Sequence, residues 1–291
     1  MSQAGTEVRD HQPRGIAGSA MGRPAIQPAR AAVSWLGLCA LGLLAGAAPA
    51  GAAEPTAAEL VVFEAASLKD AFARLARRFE AEHPGVKVVS NAAGSQELRA
   101  QIEHGALADV FAAADRKPMD ALATQGLVDG ASVFTCNQPV IVVRTALASS
   151  IKGLADLPRV DRIVIGTPEV PIGAYTLQIL ARAAGAYGAD FPQRFQAKVA
   201  SRELNVRQVL AKVVLGEADA AVVYRSDALA AAGKVQVIAI PPALNVTAAY
   251  PIATLRNAPH AQLARQWLEL VKSAAGTTAL REAGFIPCPK P

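Results

Sequence analysis

The sequence contains few of the residues, and none of the short motifs, that mark the common classes of enzyme. Its 291 residues include only 4 His, 3 Cys and 3 Met. It has no HExxH pair, G-x-S-x-G turn, Walker loop or strand-associated GxGxxG. His83, His104 and His260 are isolated and lack the spacing of metal ligands. These absences argue against a zinc hydrolase, an α/β-hydrolase, a P-loop nucleotidase and a dinucleotide-dependent oxidoreductase.

Neither sign of charge is in large excess. The 29 Lys and Arg exceed the 24 Asp and Glu by five. The chain has no block of like charge and no interleaving of basic and aromatic residues. A nucleic-acid-binding surface needs clustered positive charge to neutralise phosphates. The sequence therefore predicts no nucleic-acid partner.

The longest apolar run lies near the N-terminus. Residues 31–47 carry no charge and are followed by the small-residue patterns A-P-A and G-A-A. This is typical of a secretory signal peptide cut after Ala50 or Ala53, so we assign 1–53 to a leader and expect a periplasmic protein. A retained membrane anchor is the alternative, but about 17 residues is a short span for a bilayer. We also hypothesise that translation begins at Met21.

Two of the three cysteines lie beyond this leader. Cys39 lies within it, which leaves Cys136 and Cys288 as a pair. In an oxidising compartment such a pair is a possible disulfide. The alternative is that Cys136 is a small buried residue and Cys288 a free thiol, since the sequence does not supply the distance between them.

From Glu59 onward, short apolar runs alternate with segments of helical period. Because the strands are too apolar to face water, this order predicts parallel sheet covered by helices. The same order recurs after Pro139, which indicates two α/β lobes. We assign 54–135 plus 250–291 to lobe 1 and 136–249 to lobe 2, joined by two crossover strands with the ligand cleft between the lobes.

Serines stand where two of the predicted strands give way to helices. Ser67 follows the strand 60–63, and Ser95 follows Gly94 at the start of another helix. A hydroxyl beside the free N–H groups of a first helical turn is suited to holding an anion. The alternative for each serine is a helix N-cap, a role in which serine is common.

Several longer stretches resemble one known family. They are A-A-S-L-K-D-A at 65–71, the stretch 98–120, V-P-x-G-x-Y at 170–175 and V-V-Y-R-S-D-A at 222–228. Over 59–287 the chain is similar to the periplasmic molybdate-binding proteins of ABC transporters. The resemblance implies a type II periplasmic binding protein fold that closes over molybdate or tungstate as ligand, with no cofactor. It also implies a monomer whose partners are an ABC permease and its ATPase in the inner membrane.

The resemblance implies five oxyanion-binding residues. These are the hydroxyls of Ser67, Ser95 and Tyr224 and the backbone N–H groups of Ile172 and Val206. Hydroxyls and N–H groups surround a tetrahedral anion with donors. Molybdenum is then expected only within the bound oxyanion, without direct protein ligands. Tyr224 has an alternative role as a half-buried strand aromatic.

Two positions depart from the family. Ile172 stands where alanine is usual, so a bulky side chain has to be accommodated. Glu64 replaces a small residue just before Ser67. A carboxylate facing the cleft would repel a dianion, so we expect Glu64 to point away along its strand.

Other functions are less well supported by the residues. Within the same class, the ligand is alternatively another oxyanion such as sulfate, or a small organic acid. A serine hydrolase using Ser67 would need a base, and no obvious base is present. The sensory domain of a regulator is disfavoured because no helix-turn-helix precedes the fold. We expect Asp109, Asp115 and Asp227 to have structural roles. The sequence thus predicts a binding protein that is not an enzyme.

Overall fold

The computed structural model describes residues 58–289, and the predicted leader lies outside them. Within that range the strands are β1 Ala58–Ala65, β2 Val86–Ala93, β3 Val110–Ala112, β4 Val128–Asn137, β5 Pro139–Arg144, β6 Ile163–Gly166, β7 Val199–Glu203, β8 Ala220–Tyr224, β9 Val235–Ala239 and β10 Ala248–Leu255. The α-helices are α1 Lys69–Glu82, α2 Ser95–Glu103, α3 Arg116–Thr124, α4 Pro171–Tyr187, α5 Phe191–Gln196, α6 Val206–Val214, α7 Arg225–Ala230, α8 Ala261–Lys272 and α9 Ala274–Glu282.

The strands form two five-stranded sheets. The first has the order β2-β1-β3-β10-β4 and the second the order β7-β6-β8-β5-β9. In the first, β1 runs parallel to β2 and β3, whereas β10 is antiparallel to β3 and β4. In the second, β6 runs parallel to β7 and β8, and β5 is antiparallel to β8 and β9. Both sheets are therefore mixed, and the parallel arrangement expected from the sequence holds for only part of each.

Alternation along β1 places helices on both faces of the first sheet. Val62 belongs to the core that contains Phe72 of α1 and Trp267 of α8, whose rings meet edge to face at 5.5 Å. The next residue, Phe63, belongs to a separate core with Leu98 of α2. Successive strand residues point to opposite faces, so both faces of β1 are buried. This explains why its sequence is almost uninterruptedly apolar.

Several elements were not predicted from the sequence. These are β4, β7, α5, α7 and α9. The sequence of β4, V-D-G-A-S-V-F-T-C-N, contains Asp129, Gly130 and Ser132, which favour turns. The sequence of β7 is V-A-S-R-E, with three polar residues. Neither has a clear alternation, and both are ordered by pairing with strands that are distant in sequence.

Two strands connect the sheets. β4 leads the chain towards β5, and β10 brings it back, with Ala248 and Ala249 paired to Asn137 and Cys136. The lobe boundaries expected at 135/136 and 249/250 stay predictions, because β4 and β10 run continuously across them.

The C-terminal segment is attached to this connection. Ile286 forms a β-bridge with Cys136, and the sulfur atoms of Cys136 and Cys288 are bonded, with their Cα atoms 5.0 Å apart. The disulfide that the sequence left open is thus present in the structure. It links β4 to residues that lie 152 positions further along the chain.

Among residues 58–289, no helix combines the length and the apolarity needed to cross a bilayer.

Close backbone contact fixes the start of α4 in the second lobe. Pro171 begins the helix with a φ suited to its first turn. A Cβ on Gly173 would collide with the carbonyl oxygens of Thr167 and Gly166. Glycine at 173 therefore lets the first turn of α4 pack directly against the end of β6.

We predict that Gly173→Ala destabilises the protein by about 1–3 kcal/mol, because the added methyl group meets backbone that has no free space. Gly185→Ala, in the same helix, is the control, since a Cβ there would contact nothing within 4 Å. It should stabilise by about 0.4–1 kcal/mol by reducing the entropy of the unfolded chain. Urea unfolding of both variants measures the difference, and equal effects would contradict the packing argument.

Candidate functional site

A small cavity lies between the two sheets, where strands end and helices begin. All five residues named from the sequence line it. The lining consists of Ala65, Ala66, Ser67, Ala93, Gly94, Ser95 and Ala114 from the first lobe and Val170, Pro171, Ile172, Asn205, Val206 and Tyr224 from the second. Their roles as ligand-binding groups stay predictions, but the structure brings them together around one space.

The two serines do not act as N-caps. The side chains of Ser67 and Ser95 make no capping bond to the helices that follow them. The Ser67 hydroxyl lies 2.9 Å from the Tyr250 hydroxyl, and Ser95 Oγ accepts from the Ala114 N–H at 3.0 Å. Because Ser95 Oγ already accepts a hydrogen bond, its own proton remains available for donation towards the cavity.

Two helix starts supply backbone donors. In α6, the Asn205 side chain accepts from the N–H groups of Arg207 and Gln208, at 3.0 and 3.1 Å. Val206, the first residue of α6, is left without an intrahelical acceptor. Ile172 occupies the corresponding region of α4, where the first N–H groups also lack acceptors in the preceding turn. Val206 and Ile172 both line the cavity.

Tyr224 contributes a hydroxyl without a partner. Its side chain is 1% exposed, and among the described residues its Oη has no hydrogen-bond partner. Burial raises its pKa well above the ordinary value, and the neighbouring Tyr250 and Tyr175 hydroxyls add to this effect. A buried donor without an acceptor is costly, so this hydroxyl is available to a molecule in the cavity.

The described residues that line the cavity include no Asp, Glu, Lys, Arg or His. The cavity has a free space of about 10 Å³, close to the least that holds one water molecule. It therefore offers uncharged donors from both lobes in a very limited space. This arrangement suits a compact anion and leaves little space for a sugar or a peptide.

Ile172 is accommodated without exposure. Its side chain is fully buried, and its Cγ2 would lie 3.1 Å from a Cβ placed on Gly166. Gly166, at the end of β6, therefore provides the room for the branched side chain. The side chain of Ile172 therefore belongs to the core, and the residue also lines the cavity.

Glu64 is buried beside the site but does not line the cavity. It is 1% exposed, and its Oε1 accepts from Ser90 Oγ of the neighbouring strand β2 at 2.5 Å. Burial raises the pKa of Glu64 to about 8, although the hydrogen bond from Ser90 lowers it. Its carboxyl group is thus directed towards β2 and is mainly uncharged at neutral pH, which limits its repulsion of an anion.

Contacts across the cleft involve residues that sequence reasoning missed. Gln96 of α2 donates to the Leu204 carbonyl at 2.8 Å, and Arg207 of α6 donates to Asp70 of α1 at 2.6 Å. A Cβ on Gly94 would collide with the same Leu204 oxygen. Asp70 stands in the segment A-A-S-L-K-D-A quoted above, but nothing in that segment indicates that it meets Arg207.

Arg207 also joins a buried carboxyl group of its own lobe. Its Nε lies 2.6 Å from Oδ1 of Asp227, which is completely buried. Burial raises the pKa of Asp227 to about 7, and the nearby Arg207 lowers it. Asp109 is likewise structural: its carboxyl oxygens accept from the N–H groups of Val61 and His260, at 2.8 and 2.7 Å.

Comparison with known proteins identifies the family. The model of a family described as bacterial extracellular solute-binding protein matches residues 60–286. This chain belongs to that family. Its members are solute-binding proteins rather than enzymes, and the cavity between the lobes is the natural place for a solute.

Similar proteins include receptors for two different oxyanions. The solute-binding protein is 40% identical over 228 residues to the molybdate-binding protein ModA of Mycobacterium tuberculosis, covering 78% of this chain and 84% of that protein. The periplasmic molybdate-binding protein of Azotobacter vinelandii has a TM-score of 0.69 at 20% identity, covering 79% of this chain and all of that one. The sulfate-binding protein SubI of M. tuberculosis gives 0.71 at 20% identity, covering 79% and 87%. At such identities the structures share the fold alone, which is the type II fold expected from the sequence.

We predict that Glu64→Gln changes the pH dependence of stability. The folded-state pKa of about 8 exceeds the ordinary 4.5, so the contribution of the protonated carboxyl is fully present below pH 4.5 and is lost as pH rises through about 8. Glutamine stays uncharged. The free energy of unfolding of the variant should therefore rise relative to that of the native protein as pH increases between 4.5 and 8. This difference should be constant below the range.

Urea unfolding between pH 4.5 and 9 measures this difference. Glu59→Gln is the matched control, because Glu59 is an exposed residue of the same strand. The same pH dependence in both variants would show that the buried position of Glu64 is not its cause.

Proposed function

We propose that this protein binds molybdate, and tungstate as well, in the cavity between its lobes and delivers the anion to an ABC permease for uptake. One observation supports the proposal: the three hydroxyl residues and the two residues at helix starts line one small cavity, and no charged side chain among the described residues lines it. Such donors bind a tetrahedral oxyanion from several directions. The 40% identity to a protein named as molybdate-binding supports the choice of anion.

The size of the cavity supports an inorganic anion over an organic acid. A carboxylic or phosphorylated metabolite needs room beyond its anionic group, whereas the free space here is about 10 Å³. Sulfate remains the second candidate, since the sulfate-binding protein of M. tuberculosis shares this fold. Because sulfate is the smaller anion, the fit of the donors decides between the two.

The surroundings of Ser67 do not support a hydrolase. A serine nucleophile needs a neighbouring base that removes its proton. The partner of Ser67 is the Tyr250 hydroxyl, whose pKa is raised far above the ordinary value by burial. A neutral tyrosine is a poor base, so the geometry favours Ser67 as a hydrogen-bond donor.

Export and transport complete the proposal. The leader 1–53 directs the chain to the periplasm, where the Cys136–Cys288 disulfide is stable. There the protein acts as a monomer, without a cofactor. Its partners are the permease and its ATPase in the inner membrane, and closure of the lobes over the anion is the change that the permease recognises. The contacts of Arg207 and Gln96 across the cleft are those that such closure would make.

The first test is ligand-induced stabilisation of the purified protein. Its thermal midpoint is measured alone and with millimolar molybdate, tungstate, sulfate or phosphate. A ligand present at about a thousand times its Kd stabilises the folded state by about 4 kcal/mol, so molybdate and tungstate should each produce a large shift. A shift with sulfate alone would replace molybdate by the second candidate, and no shift with any of the four would contradict an oxyanion receptor.

We also predict that Tyr224→Phe weakens molybdate binding by about 10- to 100-fold, since a hydrogen bond to a charged group contributes about 1.5–3 kcal/mol. The same variant should unfold at an equal or higher urea concentration without ligand, because the lost hydroxyl has no partner among the described residues. Calorimetric titration and urea unfolding measure the two effects.

Tyr187→Phe is the control for loss of a tyrosine hydroxyl, because Tyr187 lies at the far end of α4 with its ring against Phe191. It should leave the Kd within about twofold. If Tyr224→Phe bound molybdate as tightly as this control, Tyr224 would be a packing residue only.

A further inference from the structure

A second layer of polar side chains lies behind the cavity. Tyr250 of β10 is completely buried and does not line the cavity, yet its hydroxyl lies 2.9 Å from Ser67 Oγ. Either oxygen is able to donate in this contact, and the direction matters. If Ser67 gives its proton to Tyr250, it faces the anion as an acceptor. If it receives the Tyr250 proton, its own proton is free for the anion.

The neighbouring buried side chain of Asn137, at the end of β4, does not compete for this contact. Its Oδ1 accepts from the Gln138 N–H at 2.9 Å, and its Nδ2 donates to Ser226 Oγ at 2.8 Å. Among the described residues, the hydrogen-bonding contact of the Tyr250 hydroxyl is with Ser67 Oγ alone.

The proton of Tyr250 therefore has one acceptor among the described residues, Ser67 Oγ. The alternative, with Ser67 donating to Tyr250, would leave the buried Tyr250 proton unpaired, which is costly. The favoured arrangement is therefore that Tyr250 donates to Ser67 and Ser67 donates into the cavity.

We propose that Tyr250 is a specificity-determining residue of the anion site: it commits the Ser67 hydroxyl to donation and thereby excludes oxyanions that carry a proton. The inference deepens the proposed function and rests on it. Tyr250 acts through Ser67 and does not itself touch the anion, so it is a positioning residue.

The other groups of the cavity are donors for independent reasons. Ser95 Oγ accepts from the Ala114 N–H, so its proton is also left for the ligand. Tyr224 has no acceptor among the described residues, and it would leave its own proton unpaired if it accepted from a ligand. A protonated oxyanion such as hydrogen phosphate brings an O–H into a space that no carboxylate among the described residues lines, and where Asn205 Oδ1 already accepts from two N–H groups. Molybdate, tungstate and sulfate carry no proton at neutral pH.

Packing holds the Tyr250 hydroxyl in place. Its ring meets those of Tyr224 and Phe285 edge to face, at 5.8 and 5.3 Å. Phe285 belongs to the C-terminal segment that Ile286 and the disulfide attach to Cys136. The segment beyond α9 thus supports the residue that orients Ser67.

The test is a double-mutant cycle, with the molybdate Kd measured by calorimetry for the native protein, Tyr250→Phe, Ser67→Ala and the double variant. In the native background Tyr250→Phe should weaken binding about 10-fold, the size expected of one hydrogen bond. In the Ser67→Ala background it should change the Kd less than about twofold, because the group it orients is gone. A merely structural role would weaken binding equally in both backgrounds, and that result, or no loss in either, would overturn the proposal.

Competition by inorganic phosphate tests the selectivity. With the Tyr250 hydroxyl removed, a water in its place gives or takes a proton, so Ser67 is able to accept from hydrogen phosphate. The experiment is carried out near pH 7. The phosphate concentration that displaces half of the bound molybdate, divided by the molybdate Kd of the same variant, should be about 10-fold lower for Tyr250→Phe than for the native protein. An unchanged ratio, or no displacement from either, would overturn the exclusion of protonated anions.

Two controls separate the possible failures. Tyr187→Phe should show neither effect, and urea unfolding of each variant shows whether it is folded. If the native protein binds sulfate in place of molybdate, the double-mutant cycle is carried out with sulfate. It then tests the role of Tyr250 independently of the identity of the anion. If it binds none of these anions, the proposed function fails and this inference fails with it. Binding by the native protein without coupling between Tyr250 and Ser67 overturns the inference only.

Discussion

A buried anion has to be compensated on every side, and the proposed function assigns this compensation to hydrogen-bond donors without formal charge. The residues that would supply them, Ser67, Ser95, Tyr224 and two residues at helix starts, line one cavity. Their neighbours leave donors free: the Asn205 side chain accepts from the next N–H groups of α6, and Ser95 Oγ accepts from the Ala114 N–H. Most of the local structure around the cleft follows from this distribution of partners.

The connection between the lobes is part of the same arrangement. Asn137 ends β4 and donates to Ser226 in the second lobe, and Tyr250 lies on the returning strand β10 with its hydroxyl at Ser67. The disulfide and the bridge of Ile286 to Cys136 hold the C-terminal segment against these strands. A residue of one connecting strand is therefore hydrogen-bonded to a residue that lines the cavity.

Charge is kept outside the cavity but close to it. Arg207, beside Val206, pairs with Asp70 of the opposite lobe and with the buried Asp227. Glu64 is buried within the first lobe, and its pKa is raised. With no cation lining the cavity, the proposed selection of the anion rests on hydrogen bonds of fixed direction. Arginine inside the cavity would bind anions of many kinds through charge, whereas oriented donors are expected to discriminate by geometry.

Much of the site was predictable because it is encoded locally. Ser67, Ser95, Ile172, Val206 and Tyr224 all lie where a strand or loop gives way to a helix, a pattern visible in short segments, and the parallel units around β1 and β6 follow from the alternation of apolar runs. Glycines 166 and 173, which let α4 start at the end of β6, also lie within such a segment.

Only the tertiary structure decided the remainder. Whether Cys136 and Cys288 bond, which strands run antiparallel, where the Glu64 carboxyl points and which groups lie behind Ser67 all depend on residues far apart in the chain. Tyr250 is 183 positions from Ser67, and Arg207 is 137 positions from Asp70. The sequence determined which groups are able to donate, through residue type and helix starts. The fold determined which of them have a partner, because that depends on distances that close only when both sheets and the connecting strands are assembled.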